Sequence, residues 1–112
     1  MLVYNKRRLR LNNAQRHIEE YNKKNGWGIS KENLEETITE CGKRLNKKEI
    51  SRHRWWTTYL YIVELDGMII GYIDAETTGD DSAHDKGYED GVCDIHEMKA
   101  VEKMVIVYED AE

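Results

Sequence analysis

Two carboxylates in the second half of the chain have the types and spacing needed for metal chemistry. Asp74 and Glu76 stand two positions apart in the segment YIDAETTG, directly after a short apolar run. Along an extended strand, side chains two positions apart point to the same face, so both carboxylates would meet one ligand. Divalent cations held in this way can activate water and stabilise the leaving oxygen of a phosphodiester. The segment therefore raises the hypothesis of metal-dependent hydrolysis.

The same segment, with its Asp-x-Glu-Thr-Thr-Gly pattern, resembles the first metal-binding motif of the DEDD-type 3′–5′ exonucleases. The resemblance implies that Asp74 and Glu76 bind two divalent metals. It covers residues 72–79 alone, and only residues 77–112 remain for the two further carboxylate motifs that the family carries downstream. The predicted helices also precede the motif, which is not the family's order. We therefore keep a metal-dependent nuclease as an alternative and predict that Asp74 and Glu76 end the second strand of a hairpin.

Two other metal sites are suggested by spacing, and both are incomplete. An EF-hand pattern has Asp74 at position 1 and Asp85 at position 12, but the bidentate Glu is missing and a strand precedes the loop. Cys93 and His96 have the C-x-x-H spacing of a zinc site, but a second Cys or His pair is missing. We predict no metal site, no cofactor and no catalytic residue.

Charge is divided unevenly along the sequence. Residues 1–65 carry 14 Lys and Arg against 8 Asp and Glu, or +6, whereas residues 66–112 carry 3 against 14, or −11. Clustered charge of one sign speeds encounter with an oppositely charged partner, so we predict an acidic partner-binding surface. The alternative is that the two halves neutralise each other within one fold. The predicted surface consists of Asp74, Glu76, Asp80, Asp81, Asp85, Glu89, Asp90 and Asp94.

A basic and aromatic segment offers a second binding hypothesis. Its side chains combine guanidinium groups with indole rings, which can hold single-stranded nucleic acid through phosphate pairing and base stacking. The alternative is that the Trp side chains pack against the helices. Nucleic-acid binding through the basic half of the chain is therefore an alternative function. The candidate residues are Arg52, Arg54, Trp55 and Trp56.

The clearest β signal is a hairpin over residues 55–75. Asp66-Gly67 separates WWTTYLYIVEL from MIIGYIDA, and this pair is strongly favoured in a two-residue turn. Such a turn pairs Tyr61 with Tyr72. Both faces of the hairpin are apolar, so we expect helices on one face and a partner, or the rest of the chain, on the other.

Two helices are predicted before the hairpin. Asn12 or Asn13 can cap a helix that runs to about Asn25. Ser30 can cap a second helix, on which the Cys41 thiol is predicted to be buried. The apolar stripe of this second helix recurs at helical spacing through Leu34, Ile38, Cys41 and Leu45.

These elements predict an α+β fold in a single domain of residues 1–112. Two N-terminal helices would pack on a C-terminal antiparallel sheet of three to four strands, formed by the hairpin 55–75 and a strand at about 100–108. Cys41 and Cys93 are too few for a disulfide framework, and no signal sequence or membrane span is visible, so we expect a cytoplasmic protein without a membrane partner.

The combined features predict a small protein-binding module rather than an enzyme. Surfaces that bind nucleic acid are basic, so an acidic module could dock on such a surface as an inhibitor or adaptor, in the manner of a DNA mimic. The size and charge suit a small phage or mobile-element protein. Association of the chain with itself is left open.

Overall fold

The computed structural model describes residues 11–77 and 82–111 and has two helices followed by a four-stranded antiparallel sheet. Each strand pairs with the next along the chain, in the order β1-β2-β3-β4. This arrangement confirms the predicted α+β fold. The elements are α1 Asn13–Lys24, α2 Lys31–Cys41, β1 Lys43–Arg52, β2 Thr57–Leu65, β3 Met68–Glu76 and β4 Cys93–Glu97.

Helix α1 begins where its sequence predicts, with a capping box at Asn12. The Asn12 side chain accepts a hydrogen bond from the Gln15 backbone N–H at 2.8 Å, and the Asn12 backbone N–H donates to the Gln15 side chain at 3.0 Å. These bonds satisfy two N–H groups that the start of a helix leaves unpaired. The Asn12 amide also donates to the Ile95 carbonyl at 2.7 Å, which ties the start of α1 to β4.

A buried polar pair joins the two helices. The Asn22 amide nitrogen donates to the Gly28 carbonyl at 2.9 Å, and its oxygen accepts a hydrogen bond from the Thr37 hydroxyl at 2.7 Å. Both side chains are buried, so these bonds replace the water that they lose on folding. The pair fixes α2 and the connecting loop against α1.

Helix α2 is capped by Ser30 as predicted, but it ends before its apolar stripe does. Its last residue is Cys41, whose thiol is exposed, contrary to the prediction that it is buried. Gly42 then continues in an extended conformation. A Cβ on Gly42 would lie 2.7 Å from the Ile38 carbonyl oxygen and 2.8 Å from Val63 Cγ2, so only glycine allows the chain to pass this closely between helix and sheet.

Strand β1 takes the place of the predicted last turn of α2. Leu45 lies in this strand and not on the helix. Nine of its ten residues are exposed, and its pairing with β2 is interrupted by register shifts at Leu45 and Ile50. Register shifts of this kind bend an edge strand and increase its local twist. Such a strand has no alternation of apolar and polar residues, which is why the sequence pattern does not predict it.

The hairpin has the predicted turn and register. Asp66 and Gly67 have φ angles of 47° and 88°, the positive values that a type I′ turn requires at both positions. Tyr61 pairs with Tyr72, as predicted. Strand β2 begins at Thr57, so the two tryptophans before it belong to the preceding loop.

The predicted strand at residues 100–108 is absent from the described chain. Residues 99–111 are exposed and irregular, and the fourth strand is the short β4 upstream of them. The Met98 thioether occupies the space where a side chain on Gly71 would lie, which explains the glycine in β3. The apolar residues within 100–108 pair with no strand among the described residues. A segment with high strand propensity does not form a strand unless it has a partner to pair with.

The core lies between the helices and one face of the sheet. The expectation that helices cover one face of the hairpin is confirmed, and its other face carries half-buried Leu60, Ile62, Ile69 and Ile73. Within the described ranges, no helix has the length and apolar character needed to cross a bilayer. The core side chains are Ala14, Ile18, Leu34, Ile38, Tyr61, Val63, Leu65, Ile70, Tyr72 and Ile95.

Candidate functional site

Asp74 and Glu76 lie on the same face at the end of β3. They pair with Tyr59 and Thr57 of β2, and Glu76 is the last residue of its strand. The prediction that both carboxylates end the second strand of the hairpin is confirmed. Both side chains point to the same face of the sheet as Ile70 and Tyr72, which pack against the helices in the core.

Glu76 is paired with side chains of its own sheet. Its carboxylate forms an ion pair with Lys47 of β1 and accepts a hydrogen bond from the Tyr61 hydroxyl at 2.6 Å. The hydrogen bond from Lys47, and then that from Tyr61, lower the pKa of Glu76. The Lys47 ammonium also lies 4.2 Å from the centroid of the Tyr59 ring. Glu76 is therefore engaged by its own sheet and offers little free charge to a partner.

Asp74 is half-buried beside this cluster. Its carboxylate accepts a hydrogen bond from the Ala75 backbone N–H at 2.8 Å. Burial raises the pKa of Asp74, and the charge of Glu76 raises it further. Burial also raises the pKa of Tyr72, whose ring stacks on Tyr61 at a centroid distance of 5.2 Å. Asp74 thus belongs to an aromatic cluster on the sheet rather than to an open acidic surface.

The two carboxylates do not gather further metal ligands in the described part of the chain. Among residues 11–77 and 82–111, no three His, Cys, Asp or Glu side chains are close enough to hold a metal ion. Cys93 and His96 pair with Ile73 and Gly71 of β3, and His96 Nδ1 lies 2.6 Å from the Asp94 carbonyl oxygen. In this fold Cys93 and His96 are therefore residues of an edge strand whose pairing with β3 contains a register shift.

The remaining acidic residues form an exposed group in the loop after β3 and at the start of β4. We call this group the acidic surface; within the described ranges none of its members is in an ion pair. Asp80 and Asp81 lie outside the described residues. The acidic surface consists of Asp85, Glu89, Asp90 and Asp94.

The loop that carries the acidic surface is held by two buried side chains. Ala83 and Tyr88 point into the fold, and the Tyr88 backbone N–H donates to the Ala83 carbonyl at 2.9 Å. The Tyr88 hydroxyl donates to the Gly91 carbonyl at 2.9 Å. The Tyr88 ring meets Trp56 edge-on at a centroid distance of 5.7 Å. The carboxylates are thus presented by an anchored turn.

Comparison with known proteins found no matching family model, no matching curated protein and no matching solved structure. The function is therefore inferred from the residues of this chain and their arrangement.

The basic and aromatic segment divides into a packing part and an exposed part. Trp56 is half-buried, but its ring stacks on His53 at a centroid distance of 3.8 Å rather than on a helix, which the packing alternative had named. Trp55 is 48% exposed, and the Arg54 guanidinium lies 4.7 Å from the centroid of its ring. The Arg52 guanidinium binds the Glu49 carboxylate at 2.9 Å. The side chains of Arg52, Arg54, Trp55 and Trp56 line a surface cavity of about 310 Å³.

Sequence reasoning missed that the basic and acidic loops meet at one end of the sheet. Trp56 contacts Tyr88, and the Lys86 ammonium lies 5.5 Å from the centroid of the Trp55 ring. The loop after β1 and the loop after β3 share this end because alternate strands of an antiparallel sheet run the same way. The register of the predicted hairpin already contains this juxtaposition, because Thr57 at the start of β2 pairs with Glu76 at the end of β3.

Proposed function

We propose that this chain is a small protein-binding module whose acidic surface docks on a basic surface of a partner protein. The observation behind the proposal is the group of four exposed carboxylates, free of ion pairs in the described ranges, on the anchored loop and the start of β4. Exposed carboxylates of this kind attract basic surfaces over about 8 Å at physiological ionic strength. In this proposal Asp74 and Glu76 help to hold the end of the sheet together, and they are not among the carboxylates that attract the partner.

The anchoring of the loop supports docking over simple solvation. Binding is weakened by the entropy lost when a mobile loop is ordered, and a loop already fixed by Ala83 and Tyr88 avoids part of this loss. The charges therefore keep one arrangement relative to the neighbouring Trp55. A partner can recognise that arrangement as well as the net charge.

A basic partner surface of this kind is typical of proteins that bind nucleic acid. An acidic module bound there would compete with the phosphates of the nucleic acid. The module would then act as an inhibitor in the manner of a DNA mimic, or as an adaptor if the partner has another use for its basic surface. A small acidic inhibitor suits a phage or mobile element acting in the cytoplasm of its host.

The test is capture of a partner followed by binding kinetics. The tagged chain is incubated with a lysate of its source organism at low and high salt, and the protein released by salt is identified and purified. The triple variant Asp85→Asn, Glu89→Gln, Asp90→Asn should then bind this protein with an association rate constant about tenfold lower at low salt, with a smaller change in dissociation.

A matched control separates the acidic surface from the net charge of the chain. The variant Glu20→Gln, Glu36→Gln, Glu40→Gln removes the same number of exposed carboxylates from the helices. Its association rate should stay within about twofold of the wild type, because long-range attraction depends on charge close to the interface. Equal rates for wild type and both variants would show that the acidic surface is only solvated.

Nucleic-acid binding is a second candidate, favoured by the exposed indole of Trp55. Arg54 and Lys86 both lie near this ring, so a base stacked there would have cations beside its phosphates. Single-stranded DNA should then quench Trp fluorescence in the wild type and much less in Trp55→Ala. Quenching that is absent in both proteins would exclude this candidate.

A further inference from the structure

The C-terminal segment, residues 99–111, leaves the domain as an exposed chain. The molecule measures 68 Å along its longest axis against 35 and 31 Å along the others, as expected when a segment projects from a compact domain. An exposed run of large apolar side chains marks an interaction site. Five consecutive apolar residues are each at least 71% exposed: Met104, Val105, Ile106, Val107 and Tyr108.

Strand β1 offers an open edge of matching length. It pairs with β2 on one side and has no strand on its other side among the described residues. Leu45 and Ile50 at its register shifts are 48% and 52% exposed. The opposite edge of the sheet is shorter and is partly closed by α1, since Asn12 donates to Ile95 of β4. An added strand therefore fits β1 better than β4.

The charges of the two segments are complementary. The start of β1 is basic, with Lys43 and Arg44 exposed. The C-terminal segment is apolar in its middle and acidic after it, at Glu109 and Asp110. In an antiparallel alignment the acidic end lies beside the basic start of β1, and the apolar run lies along the middle of the strand. Opposite charges facing each other across strands stabilise pairing.

We propose that the C-terminal segment of one chain lies along the β1 edge of a second copy, and that two copies exchange these segments. Each copy supplies one segment and one edge, so the exchange closes with two-fold symmetry. The segment leaves from the β4 side of the sheet, three inter-strand spacings or about 14 Å from β1, so pairing with its own edge would require the chain to turn back across a face of the sheet. Backbone hydrogen bonds to an open edge and alternate side-chain contacts would hold the partner segment.

The test begins with the mass of the full chain in solution. Sedimentation of the wild type should give a dimer that dissociates on dilution. Ile106→Lys should give a monomer at every concentration, because it replaces an apolar contact with a charge that faces the lysines of β1. Ile29→Lys is the matched control, since it introduces the same change at an exposed site in the loop between α1 and α2. It should dimerise like the wild type.

Cross-linking identifies the two surfaces. In a chain with Cys41→Ser and Cys93→Ser, one variant carries Lys48→Cys and another carries Val105→Cys. Oxidation of the mixture should give a disulfide between two different chains, and neither variant alone should give as much. A wild type that is monomeric throughout, or a dimer that persists in Ile106→Lys, would overturn the proposal. A cross-link found only when both cysteines are on one chain would also overturn it, since the segment would then cover its own sheet.

Discussion

At the scale of residues, neighbouring carboxylates on one strand have opposite electrostatic roles. Lys47 and Tyr61 stabilise the charged form of Glu76 and lower its pKa, whereas burial raises the pKa of Asp74. Glu76 therefore stabilises the fold above its ordinary pKa of 4.5, and this contribution is lost as the pH falls through its folded pKa. Asp74 acts in the other direction, because the folded state holds its proton more tightly and loses stability as the pH rises above 3.8.

This contrast predicts opposite effects of two conservative substitutions. Glu76→Gln should lower the free energy of unfolding at pH 7 by about 0.5–1 kcal/mol, a small value because the ion pair is partly exposed. Asp74→Asn should raise it, since the amide oxygen can still accept the Ala75 hydrogen bond without a buried charge. Urea unfolding at pH 7 and at pH 3 measures both, and each difference should shrink at the lower pH.

Glu64→Gln is the matched control for this pair of substitutions. Glu64 is an exposed carboxylate on β2 and forms no ion pair within the described ranges. Its replacement should change the unfolding free energy by under about 0.5 kcal/mol. Asp74→Asn could instead destabilise the protein at pH 7 as much as Glu76→Gln does. That result would contradict the prediction, because it would mean that the charge of Asp74 is stabilised by a cation outside the cluster of Lys47, Tyr61 and Tyr72.

At the scale of elements, the hairpin turn depends on backbone conformation alone. Gly67 has a φ of 88°, and nothing lies within 4 Å of the position that a Cβ would take. Gly67→Val should therefore lower the free energy of unfolding by about 1–3 kcal/mol through strain, without any clash. Gly67→Asn is the control and should cost much less, because Asn tolerates positive φ. Thermal unfolding measures both, and an equal loss in the two variants would mean that space, not φ, limits this position.

Two strand assignments from the sequence are wrong for the same reason. Strand β1 was not predicted, and the strand predicted at residues 100–108 is absent from the described chain. The apolar run has the composition of a strand but has no partner among the described residues. Strand β1 has the composition of a loop or helix end but is held by β2 along its whole length. Strand formation depends on pairing, so composition alone assigns both segments wrongly.

At the scale of the whole molecule, the two oppositely charged halves meet in the fold but do not cancel. Lys24 binds Asp66 at 3.2 Å, and Lys47 binds Glu76, so two ion pairs join the basic half to the acidic half. The four carboxylates of the acidic surface stay outside these pairs. The alternative that the halves neutralise each other thus applies to these two contacts, whereas the acidic surface keeps its charge.

The exposed C-terminal segment leads to a prediction about stability at this scale, which rests on the proposed exchange between copies. A chain ending at Lys99 should unfold at the same temperature as the full chain in dilute solution, because residues 99–111 are exposed. The melting temperature of the full chain should rise with protein concentration, since dimerisation stabilises the folded state by mass action, and that of the shorter chain should stay constant. A lower melting temperature for the shorter chain at every dilution would show that the segment stabilises its own domain.

Local patterns in the sequence determined the helix starts at Asn12 and Ser30 and the hairpin around Asp66-Gly67. Caps and two-residue turns depend on hydrogen bonds and φ preferences within a few residues, so the sequence contains all the information they require. The tertiary structure alone decided that α2 ends at Cys41, because the approach of Val63 to the next residue, Gly42, leaves no room there for a side chain. It also decided which carboxylates are free, because Lys47 reaches Glu76 only when β1 and β3 flank β2. These outcomes depend on contacts between residues distant in the chain, which no local pattern contains.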